Sequence, residues 1–94
     1  MNRRFLWDKN KQNSNVKKHG VTFVEASGVF YDENAVYLYD GEHSMDEDRF
    51  YVIGQSEEDR VLFVCHCYRE NDEVIRIISA REATKQERLM YGGA

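Results

Sequence analysis

The sequence predicts an α+β fold in which an antiparallel sheet carries helices on one face. Three observations predict it. The chain has 94 residues, 41% of them apolar and 32% charged, which is enough for one buried core and too apolar for a disordered segment. The hydrophobic period changes from helical near the start to alternating after residue 34, then back to helical near the end. The strands come as a run instead of alternating with helices, which argues against a doubly wound parallel sheet. Residues 1–94 are accordingly read as a single domain.

Arg4-Phe5-Leu6-Trp7 reads as a short strand. Asp8 is placed to cap a helix from Lys9 to Lys18, and Gly20 sits where a left-handed C-terminal cap belongs. This helix is almost wholly polar, with Val16 its one large apolar residue, so it is expected to be exposed or marginal. Thr22 and Glu25 have capping-box spacing and start a second helix from Phe23 to Phe30, with Val21 and Ala26 as its hydrophobic staple. Strands follow at Ala35–Tyr39, Arg49–Gln55, Arg60–Arg69 and Glu73–Ala80, the last three joined by short polar turns as a meander. The acidic loop Asp40–Asp48 links the first two of these strands. Thr84 and Glu87 repeat the capping-box spacing and start a final helix that runs to Tyr91, beyond which Gly92-Gly93-Ala94 is expected to fray.

Composition also excludes functions. There is no proline, no apolar run approaching the ~18 residues of a membrane span, and no signal-like apolar segment after Arg3-Arg4, so a cytoplasmic protein is expected. Cys65 and Cys67 are spaced for neither a redox motif nor a zinc pair and are read as reduced and buried. The acidic loop lacks EF-hand spacing, and the three histidines form no ligand cluster with the cysteines; no metal and no cofactor are assigned. The net charge of −4 is segregated: the first twenty residues carry six Lys/Arg against one Asp, while residues 21–60 carry eleven acids against two arginines. A basic end on an acidic body points to a local anion site.

One set of residues is more specific. It begins with Trp7-Asp8, Lys11, Asn15, Lys18-His19-Gly20-Val21 and Phe23, and continues through Ala26, Val29-Phe30, Asp32, Asp40 and His43-Ser44. It then runs through Arg49, Gly54, His66 with Arg69, Arg76-Ile77-Ile78-Ser79-Ala80-Arg81, Glu87-Arg88 and Tyr91. In this order and spacing it resembles the BrnT toxins of bacterial type II toxin–antitoxin systems. The resemblance implies a RelE-like fold with two N-terminal helices, an antiparallel sheet and a C-terminal helix. It also implies a ribonuclease that halts translation, a BrnA-type antitoxin that neutralises it, and contact with operator DNA only through that complex.

Metal-independent RNA cleavage needs a base for the 2′-hydroxyl, an acid for the leaving 5′-oxygen, and cations for the phosphate in the transition state. Arg76 and Arg81 are the candidate phosphate ligands, since a guanidinium fork matches phosphate oxygens; the competing role for each is an ion pair with Asp or Glu, or a contact to the antitoxin. His66, flanked by apolar residues, is the candidate acid or base, or else a satisfied core histidine. Lys9, Lys18 and His19 are candidate RNA contacts that could equally serve the helix C-terminus, and Tyr91 either stacks on a base or packs on the sheet. A net acidic chain also admits a second class of function: a binding module that acts mainly as antitoxin partner and co-repressor, with little nuclease activity.

Overall fold

The computed structural model describes residues 3–91, so the expectation for Gly92–Ala94 lies outside the described residues. The elements are β1 (Arg4–Leu6), α1 (Lys9–His19), α2 (Phe23–Gly28), β2 (Val36–Asp40), β3 (Arg49–Gln55), β4 (Val61–Arg69), β5 (Val74–Glu82) and α3 (Lys85–Met90). They form one five-stranded sheet in the order β1-β5-β4-β3-β2. The last four are antiparallel neighbours, as expected of a meander. β1 is the exception and runs parallel to β5 along the edge, Leu6 beside Arg76.

The helix signals lie where the chemistry requires them. Asp8 accepts from the amides of Asn10 and Lys11, and Gly20 closes α1 at φ 68°, a conformation that glycine adopts without a side-chain penalty. Thr84 and Glu87 form a reciprocal capping box at α3. The box at α2 is only half made: Thr22 accepts from the Glu25 amide, but the Glu25 carboxylate turns inward to Ser56 at 2.7 Å and Arg60. That helix also stops at Gly28, and one 3-10 turn, Val29–Tyr31, continues it. Gly54 of β3 lets this turn approach, since a Cβ there would lie 3.1 Å from the Val29 side chain and carbonyl.

The polar α1 is exposed over nearly all of its length, as its composition leads one to expect, and a single buried polar residue docks it. Val16 is exposed, while Asn15 is buried. The Asn15 amide donates to the Ala80 carbonyl at 2.7 Å and accepts from the Ala80 amide at 3.0 Å, as the backbone of a neighbouring strand would. It also donates to Val21 O at 2.9 Å. A hydrogen-bonded side chain thus seals the free edge of β5 beyond β1 and docks a helix that has almost no apolar stripe.

The two faces of the sheet differ. Val52, Leu62, Val64, Ile75, Ile77 and Ala80 pack under α2 and its following turn with Val21, Phe23, Ala26, Val29 and Phe30, which makes this the core. The alternate residues, among them Arg49, Tyr51, Cys65, Cys67 and Arg76, point the other way.

A candidate nucleic-acid interface on the open sheet face

A break in strand register brings Arg76 and Arg81 together. Five residues apart on a regular strand they would face opposite sides. Between the pairs Cys65–Ser79 and His66–Ile77, however, Ile78 is an extra residue on β5. This bulge resets the alternation, so that Arg76 lies beside Cys67 and Arg81 beside Phe63, all on the open face.

The two arginines differ in what they hold. Arg81 makes a bidentate pair with Glu87 at 2.8 and 2.9 Å, and its guanidinium lies over the Phe63 ring, 4.4 Å from the centroid. That pairing holds the Glu87 carboxyl below its usual range and raises Arg81. Arg76 is half-buried and forms no ion pair among the described residues. Its neighbour Glu47 reaches over from the acidic loop to Arg69 at 2.7 Å. Bonding to the Cys67 thiol and to Arg69, with the field of Arg76, lowers the Glu47 pKa against its own burial.

Arg49 of β3 completes this cationic row. Its Nε is buried with no hydrogen-bond partner among the described residues, an unmet donor on a permanent charge. On the α1 side, Lys11, Lys18 and His19 line a groove of about 320 Å³ with Ile78 and Ser79. Lys18 and His19 therefore stand at the border of the same face, while Lys9 is exposed in the first turn of α1. Cys65 and Cys67 are free and buried, as expected, and burial pushes the Cys65 thiol up to about 11. Neither is an activated nucleophile.

Two expected site residues lie elsewhere. His66 is fully buried on the core face, boxed by Phe30, Tyr37, Phe50 and Tyr68. Burial lowers its pKa to about 4, so the ring is neutral and shielded from solvent at neutral pH. It belongs to the core, and the acid–base role is withdrawn. Tyr91 is buried too; its hydroxyl donates to Asp32, and burial with that bond pushes it up to about 12. It packs and is not available to stack on a base.

In the sequence Arg49 stands out only as part of the family pattern, with no role in the site, and Arg69 and Lys11 are underrated. Period-two counting places the two arginines, since Arg49 and Tyr51 alternate with core residues such as Val52 and Arg69 shares the face of Cys65 and Cys67. His43, likewise part of that pattern without a role, has its ring Nδ1 2.9 and 3.1 Å from the two oxygens of buried Asp40. Tyr51 donates to the same carboxylate at 2.7 Å. Burial would raise the Asp40 pKa, but the bonds from Tyr51 and His43 outweigh it and the group is held low.

Comparison with known proteins fits this architecture. The family described as "Ribonuclease toxin, BrnT, of type II toxin-antitoxin system" matches residues 7–87. Among solved structures, the 1.1 Å crystal structure of the Brucella abortus ribonuclease toxin BrnT is similar, with a TM-score of 0.67 and 21% identity, covering 89% of this chain and 100% of that one. At that identity the likeness is one of fold. No curated protein matches in sequence.

Proposed function

The chain belongs to the BrnT family of ribonuclease toxins of type II toxin–antitoxin systems, and from that premise we propose that it is a cytoplasmic, metal-independent endoribonuclease that cuts RNA on the open sheet face and so blocks translation. The observation that carries the proposal is the convergence of Arg49, Arg69 and Arg76, from three strands, on the sheet face opposite the α2 core. Arg76 is the primary ligand of the scissile phosphate. Arg81 joins it where the substrate phosphate displaces Glu87. Lys9, Lys11, Lys18 and His19 track the RNA backbone. The fold reads as RelE-like.

The family implies an antitoxin. We assign this role to a BrnA-type protein that covers the Arg76–Arg81 surface, with operator DNA bound only through the complex. Amide exchange across residues 76–81 should slow when the antitoxin binds; unchanged exchange would contradict masking.

The test of activity is direct. The purified chain, incubated with single-stranded RNA in EDTA, should yield ends bearing 2′,3′-cyclic phosphate. Intact RNA, or cleavage abolished by EDTA, would refute the reading. A net charge of −4 and the carboxylates that hold Arg69 and Arg81 favour one alternative, a binding module with little nuclease activity. Growth arrest on expression alone, relieved by co-expressing the adjacent small gene, supports the enzyme; no arrest supports the module.

A further inference from the structure

Two histidines lie outside the core, His19 and His43, and only His43 is held by a buried carboxylate. β2 ends at Asp40, and one 3-10 turn, Gly41–His43, folds His43 back over that residue. Asp40 is 6% exposed, whereas the His43 side chain is 60% exposed. A carboxylate only accepts, so Nδ1 of His43 donates to the Asp40 oxygens, and in the neutral ring the lone pair lies on Nε2. Tyr51 fixes Asp40 from β3 at 2.7 Å, and the Ser44 hydroxyl ties the Asp40 carbonyl to the Arg49 amide. The ring is therefore set in one tautomer by a buried, doubly anchored acid.

His43 also has a cation beside it. With Glu42, Met45, Asp46, Glu47 and Arg49 it lines a cleft of about 430 Å³, in which Arg49 is set against three carboxylates. Arg49 has the buried Nε that is unpartnered among the described residues, and Glu47 leads to Arg69 and Arg76. A turn that needed only a cap would be served by the Asp40 bond to the His43 amide; it explains neither the ring contact with both oxygens nor the unmet guanidinium.

We infer that His43 is the catalytic base of RNA cleavage, oriented by Asp40 as positioning residue, with Arg49 a ligand of the reacting phosphate. Nε2 takes the 2′-hydroxyl proton as the 2′-oxygen bonds to phosphorus. The bond from phosphorus to the 5′-oxygen breaks, that oxygen takes a proton from water, and the hydroxide so formed takes back the proton held on His43. The products are a 2′,3′-cyclic phosphate and a 5′-hydroxyl, with no oxidant or reductant needed. The inference rests on the ribonuclease reading above.

The test is single-turnover cleavage of a short single-stranded RNA by the full chain. His43→Ala should lower the rate on the order of 10²–10⁴-fold, the usual scale of a lost base, and imidazole in the buffer should restore part of it. Asp40→Asn should lower kcat at unchanged KM. Melting curves accompany each variant. A folded His43→Ala chain that cuts at the parental rate overturns the inference and leaves the ribonuclease reading standing. So does a loss that imidazole does not relieve and that tracks a lower melting temperature. If the parental chain leaves RNA intact, both fall together.

Discussion

The two faces of one sheet hold two histidines in opposite environments. On the core face, His66 lies among four aromatic rings, and burial drives its pKa to about 4. On the other face, His43 projects into solvent with a buried carboxylate behind it. The same contrast holds for the cations: the core face of the central strands carries none, while the open face gathers Arg49, Arg69, Arg76 and Arg81. The lesson is that a flanking apolar sequence does not make a histidine catalytic. Burial without a partner of opposite charge only keeps the ring neutral, whereas an exposed ring with an anchored acid can exchange protons.

Breaking the open face should have the largest consequence. Arg76→Ala removes the one arginine of β5 without a carboxylate partner, and RNA cleavage should fall on the order of 10²–10³-fold at unchanged melting temperature. Arg76→Lys should restore it only in part, because an ammonium cannot form the fork. A parental rate in the alanine variant would move the phosphate site elsewhere.

The core face should respond to acid instead. His66 binds its proton less readily folded than unfolded, so its stabilising contribution is full above its unfolded pKa, near 6.5, and fades as pH falls towards 4. The loss should be on the order of 3 kcal/mol across that window. In His66→Phe, denaturant midpoints should be flat with pH between about 6.5 and 5; an unchanged slope would place its origin in another group. Glu25, held low by Arg60, contributes at lower pH, with stability present above its unfolded pKa near 4.5 and lost below it.

Asn15→Ala should cost about 2 kcal/mol in urea unfolding, because the Ala80 amide and carbonyl lose their partner. Asn15→Asp keeps an acceptor for the amide but faces the carbonyl with a second acceptor, and should not rescue. The smallest effect is expected at the edge of the open face. Arg81→Ala breaks a partly exposed pair and should lower stability by about 1 kcal/mol or less. Glu87→Gln, which frees the Arg81 fork, should raise cleavage modestly; a fall would assign Glu87 a part in the chemistry.

Much of this was legible in the sequence. Asp8, Gly20 and Thr84 announced their helix ends through local hydrogen bonding, which short sequence spans encode. The four main strands showed their alternation, with boundaries within two residues of those observed. What stayed hidden depended on long-range partners. The docking of α1 rests on Asn15 meeting Ala80, 65 residues away, which no hydrophobic pattern records. The parallel pairing of β1 with β5 is equally remote in sequence. At the site, Arg76 and Arg81 were identified as a pair, yet they share a face only because of the bulge at Ile78, which the spacing does not reveal. His66 was misjudged because its aromatic box is assembled from Phe30, Tyr37, Phe50 and Tyr68, contributed by four separate elements.

The central claim is that RNA engages the open face. The most direct measurement is a titration of the ¹⁵N-labelled chain with a short RNA whose 2′-hydroxyls are replaced by hydrogen, so that it binds without being cut. The account predicts saturable shifts at the amides of Arg49, Cys67, Arg69 and Arg76 and along Lys11–His19, weakening steeply with salt. Shifts centred instead on the cavity of about 900 Å³ lined by Arg3, Tyr31, Tyr37 and Tyr68, on the other side of the sheet, would contradict it.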